Sequence, residues 1–304
     1  MTTQVTTRRS FALRHEERAA WTFLLPWFIG MALITIGPMI ASLYFSFTDY
    51  NLLSAPEWVG GANYERMLTD ARLHKSLVVT FTYVLIGVPL LLVTALALAI
   101  VLNRGIRGLP LYRSVYYLPS LLGASVAVGI LWRQVFGKEG LVNQFLALFG
   151  VEGPGWISNP DTALMTLIVL HVWTFGSSMV IFLAGLRQIP EELYEAASID
   201  GAGRWRQFRS ITVPLLTPII FFNLILGIIN SFQTFTQAFV VSGGTGGPAD
   251  STLFYSLYLY QQAFGRLNMG YASAMAWLLV VIIAVFTAVN FYFSKRWVFY
   301  SDQD

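Results

Sequence analysis

Asp, Glu, Lys and Arg are spaced along this chain so that they leave long uncharged windows between them. Six windows approach or exceed the ~20 residues that cross a bilayer: 19–48, 76–103, 114–132, 162–186, 210–249 and 267–294. The third holds only 19 residues, but Arg113 and Arg133 can snorkel from its ends to the interfaces. The fifth is too long for one span, so it must hold a helix and an uncharged loop, which the Gly- and Pro-rich 242–250 supplies. The pattern predicts spans near 21–47, 77–102, 113–133, 162–186, 212–240 and 269–294. Residues 1–18 read as a polar N-terminal arm, with a short interfacial helix around "RHEERAAW". Between spans, Asn63 begins a short amphipathic helix after turns at Pro56 and Gly60–Gly61. The segment 140–150 is helical but too short to cross.

Composition agrees with the windows. Of 304 residues, 56% are hydrophobic and 12% charged, against about 25% charged in soluble domains. The expected fold is an all-α polytopic membrane protein. With no cysteine, disulfides, thiol nucleophiles and Cys-based zinc sites are excluded. The net charge of +3 is a topology signal rather than a nucleic-acid footprint. The arm, the loops 104–113 and 187–209 and the C-terminal tail hold 13 of the 19 Lys and Arg residues, which puts both termini in the cytoplasm.

The spans carry little chemistry. None contains a carboxylate, which argues against proton or ion coupling, although carbonyls and hydroxyls can also build a Na⁺ site. There is no GxxxxGK[ST] phosphate loop, so uphill transport would need energy from a partner. His171 is the one histidine in a span. It shares a helical face with Thr174 and Ser178. It reads as a hydrogen-bonded structural residue or as a pathway lining. A serine–histidine hydrolase lacks both a carboxylate and a nucleophile elbow. In "ILGIINSFQTFTQAFVV", Asn230, Gln233, Thr234 and Gln237 recur at i, i+3, i+4 and i+7, one polar stripe on an apolar helix. Amides in hydrocarbon need partners. Either they hydrogen-bond to other helices, or they line a path for a polar, uncharged solute such as a sugar, with Phe232 and Phe235 offering flat faces.

The densest charge lies at 191–209. Pro190, Glu191 and Glu192 suit a helix start, and Gly201 and Gly203 end it or turn it. Glu195-Ala196-Ala197, then Gly201, Ile211 and Val213-Pro214 at fixed spacing resemble the signature loop of ABC importer permeases, with Val213 in place of the usual Leu. This loop, the six spans and the "SGGTGGPAD" turn together resemble the carbohydrate-uptake, maltose-permease-like branch, over roughly residues 19–300.

The resemblance implies a type I ABC importer permease fold in the cell membrane, multi-pass and non-catalytic. It implies a second permease, two ATPase subunits that bind the ATP and Mg (no cofactor in this chain), and an extracytoplasmic binding protein that delivers the sugar. The coupling helix near 190–205 maps onto Glu195, Ala196, Ala197 and Gly201, with Asp200 and Arg204 at its rim. The solute path maps onto Asn230, Ser231, Gln233, Thr234 and Gln237, with His171 and Ser178 on the preceding helix. Alternatives are a permease for glycerol-phosphate-type solutes, an ion-coupled secondary transporter and an intramembrane hydrolase.

Overall fold

The computed structural model describes residues 20–104, 108–123 and 125–299. The expected arm over 1–18 lies outside these residues. Helix α1 (Ala20–Phe45) is followed by a two-strand hairpin, β1 (Thr48–Asp49) and β2 (Glu57–Trp58), paired antiparallel. Then come α2 (Ala62–Thr69) and the long α3 (Ala71–Asn103). Helices α4 (Leu109–Leu122) and α5 (Val126–Val135) form a bent pair, and α6 (Leu141–Ala147) is a short surface helix. A second bent pair is α7 (Pro160–Trp173) and α8 (Gly176–Leu186), followed by α9 (Glu191–Ile199). The chain ends with α10 (Arg204–Phe232), α11 (Thr236–Ser242), α12 (Tyr255–Tyr260) and α13 (Met269–Ser294).

Among the described residues, four helices are long and apolar enough to cross a membrane: α1, α3, α10 and α13. Counting each bent pair as one crossing makes six. The contacts favour that count. At one end of the molecule Asn103, Arg187 and Tyr194 border one hollow, and the Phe299 amide donates to Thr217 Oγ1 at 2.8 Å. At the other end the Gly270 amide donates to the Tyr50 carbonyl, Arg72 pairs with Asp250, and α7 starts beside Pro248–Asp250. The chain therefore alternates between ends, and Ala20 and Ser294 come to the same end.

Helix α3 is the central post. Its Ala95 and Ala99 are fully buried, and such small side chains let α8 approach closely. One core gathers Val88, Phe182, Leu216 and Phe232 in the arginine-rich half. The other gathers Leu73, Tyr83, Leu167, Tyr255 and Tyr271 in the opposite half. Large exposed apolar residues on α1, α3 and α13 are the surface a bilayer would solvate.

Three expected spans differ from straight helices, the fourth by a 42° bend between α7 and α8. The third window turns through 99° between α4 and α5. Gly123 permits this because its α-carbon lies against α7–α8: an added Cβ would collide with Thr174 Cγ2. Ser125 then starts α5, its Oγ accepting from the Val128 amide at 3.3 Å. The fifth helix begins at Arg204 rather than near 212, because a π-helical stretch over Phe208–Thr212 carries the helix into Val213-Pro214. A wider turn ahead of Pro214 accommodates its missing N–H. The helix ends at Phe232, and Gln233–Phe235 is non-helical before α11. The polar stripe therefore straddles a break and is not one continuous helical face.

Candidate solute cavity and docking helix

Three breaks meet at mid-height: α4/α5 at Gly123, α7/α8 at Thr174–Phe175, and α10/α11 at Gln233–Phe235. Freed backbone groups are tolerated at membrane depth only where protein or a water-filled cavity satisfies them. Here they border a cavity of about 510 Å³. Its lining includes His171, Thr174, Ser178, Asn230, Gln233, Thr234, Phe235 and Gln237 and, among the described residues, no Asp, Glu, Lys or Arg. His171, Thr174 and Ser178 thus reach one space despite the 42° bend between α7 and α8.

The polar residues have different partners. Gln237 Nε2 donates to the Gly123 carbonyl at 3.1 Å, so this amide ties α11 to the α4–α5 break. Thr234 Oγ1 lies 3.5 Å from the Asn230 carbonyl, and Thr234 also meets the Tyr83 hydroxyl. Ser231 is fully buried and faces His171 Nε2 at 3.3 Å instead of lining the cavity. Asn230 and Gln233 are exposed, and their side chains make no hydrogen bond to the described residues. Of the two aromatic faces expected, Phe235 lines the cavity. Phe232 does not: it is 1% exposed and packs edge-on against Phe81, because its position at the end of α10 turns it into the core.

The sequence reading missed Tyr83, Ser120 and Asn223 in the same lining. Asn223 was detectable, since it lies seven residues before Asn230 and extends the stripe by two turns. It also missed a network at the end opposite the arginines. Asp70 caps α3, accepting from the Arg72 and Leu73 amides at 3.0 and 3.1 Å and from the Tyr258 and Tyr271 hydroxyls at 2.7 Å each. Burial pushes the Asp70 carboxyl up, but these hydrogen bonds outweigh it and hold it below the ordinary 3.8.

At the arginine-rich end, α9 covers Glu191–Ile199, shorter than the 190–205 expected, and Arg204 opens α10. The stop is chemical. Gly201 sits at φ +75°, the Ala202 amide donates to the Ala197 carbonyl at 2.8 Å, and the Gly201 amide to Ser198 at 3.1 Å. That is the paired C-terminal cap that a left-handed glycine completes. Tyr194 Oη and Thr212 Oγ1 share a hydrogen bond of 2.9 Å, and Gln207 Nε2 donates to Ser198 Oγ and the Ala202 carbonyl at 2.9 and 3.0 Å. These bonds fasten α9 to the root of α10. The Glu195, Ala196, Asp200, Gly201 and Arg204 side of this segment is exposed, Ala197 is half-buried, and Ile199 and Trp205 are 87% and 74% exposed. Hollows of about 1120 and 810 Å³ flank α9.

The family model for binding-protein-dependent transport system inner membrane components matches residues 70–298. A probable ABC transporter permease protein, YesP, of Bacillus subtilis (strain 168) is 50% identical over 299 residues, covering 98% of this chain and 97% of that protein. The lactose transport system permease protein LacF of Rhizobium radiobacter is 32% identical, covering 96% and 99%. Among solved structures, a chain of a bacterial ABC transporter involved in importing the acidic polysaccharide alginate superposes with TM-score 0.81 at 20% identity, covering 95% of this chain and 99% of that one. That likeness is one of fold. A fold shared over nearly the whole length, a family match over most of the chain and the multi-pass helical layout agree: the chain belongs to the family of binding-protein-dependent transport system inner membrane components.

Proposed function

We propose that the chain is one permease subunit of an ATP-driven importer for a neutral sugar or oligosaccharide. The observation that carries this reading is the pair of amides, Asn230 and Gln233, open to a cavity without a charged side chain. A structural amide in a span would be spent on another helix, as Gln237 is. Amides and hydroxyls match sugar hydroxyls as both donors and acceptors. A phosphate-bearing solute would call for Lys or Arg, and none lines this cavity. The relative named for lactose transport supports the same class.

In this reading the arginine-rich end is cytoplasmic. Helix α9, with Glu195, Ala196, Ala197 and Gly201 on or beside it and Asp200 and Arg204 at its edge, docks in a cleft of an ATPase subunit. The exposed Ile199 and Trp205 support a protein partner there, since a monomer gains nothing by holding them in water. ATP and Mg belong to the ATPase pair. When the pair closes on ATP, α9 moves, and the Tyr194–Thr212 and Gln207 bonds transmit the motion to α10. That helix has 29 residues, roughly 43 Å at 1.5 Å per residue, and ends at the cavity amides. Moving it rotates Asn230 and Gln233 between an inward- and an outward-open arrangement, a rigid-body switch biased by a ligand bound elsewhere. A second permease closes the other side of the path, and a binding protein loads it from outside.

The experiment is uptake in proteoliposomes, with this chain alone and with its partner permease, ATPase subunits and binding protein. Uptake of labelled lactose or arabinan and starch fragments is expected only in the complete complex with ATP. Uptake by the isolated chain, driven by an ion gradient, would favour the secondary-transporter reading.

A further inference from the structure

Helix α12 has two faces. Tyr258 and Gln262, one turn apart, are buried: the Gln262 amide donates to Tyr258 Oη at 2.6 Å, and Tyr258 to Asp70. On another side, Tyr260 and Phe264 are 38% and 60% exposed, their ring centroids 5.1 Å apart. Tyr260 stands 5.1 Å from Phe235, an aromatic residue of the cavity lining, and 5.6 Å from Phe239. The rings Phe264, Tyr260 and Phe235 therefore form an unbroken series from the cavity lip toward the outer end of the molecule. The Tyr260 hydroxyl makes no hydrogen bond to the described residues. Helix α12 and its closing turn, Gln261–Gly265, are together too short to be a span.

We propose that these three rings are an aromatic track for the outer rings of an oligosaccharide, extending the polar cavity outward; the proposal rests on the sugar reading above. Sugar C–H faces pack on aromatic surfaces and leave their hydroxyls hydrated, so a solute slides along such rings without being fixed. The free Tyr260 hydroxyl adds one donor and acceptor at the middle step. Each 5.1 Å step is comparable with one sugar ring in a chain. The track would act on longer solutes and leave disaccharides, which fit the cavity, nearly untouched.

The test uses the complete complex in proteoliposomes, supplied with a mixture of di- to hexasaccharides from starch, arabinan and galactan, and measures what enters. Phe264→Leu and Tyr260→Leu keep apolar volume and are expected to lower tetrasaccharide uptake about two- to tenfold relative to the disaccharide of the same series. Phe264→Trp should restore it, and basal ATPase activity should not change. An equal fall at all lengths, no fall at all, or loss of the partner permease on purification would overturn the track while leaving the sugar reading intact. A parent complex that admits none of the mixture overturns the sugar reading, and the track with it.

Discussion

Under the proposed docking role, Gly201 joins a structural task to a functional one. Its φ of +75° closes the cap of α9, and a Cβ there would meet nothing within 4 Å. Size alone is therefore not what excludes a side chain in the free subunit; conformation is. Ala should cost about 1 kcal/mol, Asn less and Val more. ATPase retention on purification should follow the order Gly, Asn, Ala, Val. If instead Asn behaves like Val, bulk against the partner matters more than the turn. The cavity residues divide in the same manner. Asn230→Leu and Gln233→Leu remove no hydrogen bond to the protein, so thermal stability should hold while sugar transport falls severalfold, for a loss of about 0.5–1.5 kcal/mol per bond to solute. Gln237→Leu should lower the melting temperature, because the Gly123 carbonyl loses its donor. Equal destabilisation by all three would return the whole stripe to a structural role. The stripe itself was legible as polar residues at helical spacing. Which amides were spent was not, because Gln237 finds its acceptor 114 residues away.

At the scale of elements, the clamp between α9 and α10 is the step most open to test. Tyr194→Phe deletes a hydroxyl and little volume. ATP hydrolysis by the assembled complex should persist while sugar moved per ATP falls; unchanged stoichiometry would mean that the motion travels by another route. The Asp70 network acts at the opposite end, where α3, α12 and α13 converge. The folded carboxyl titrates below its ordinary 3.8, so its stabilisation is complete above that value and is lost as pH falls through the lowered one. Melting temperature should drop as pH is taken below about 3.8, and Asp70→Asn should be less stable at neutral pH and show less of that acid slope. An identical slope in the variant would assign acid lability to other carboxylates. Asp70 was missed in the sequence because a charge at a span's end looks like an ordinary interface residue; its tyrosine partners lie 188 and 201 residues away. Helix breaks were unevenly legible. Membrane helices tolerate Gly and Pro, so Gly123 and the nearby Pro119 did not by themselves announce a break, and Gln233–Phe235 has neither.

For the whole molecule, the uncharged windows anticipated the number of crossings, because a bilayer tolerates so few charges that their spacing nearly sets the topology. The path of each crossing depended on tertiary contacts. The 13 basic residues assigned to one side place the α9 end in the cytoplasm. The chain contains no native cysteine, so single cysteines report their own positions without background from this subunit. The most direct measurement is labelling of Gln233→Cys by an impermeant thiol reagent, in the complex assembled with cysteine-free partners. Without nucleotide the cysteine is expected to react from the cytoplasmic side. With ATP bound and hydrolysis blocked it should react from the opposite side, more slowly when the transported sugar is present. Labelling that keeps to one side under both conditions, or that sugar never slows, would contradict an alternating sugar path along Asn230 and Gln233.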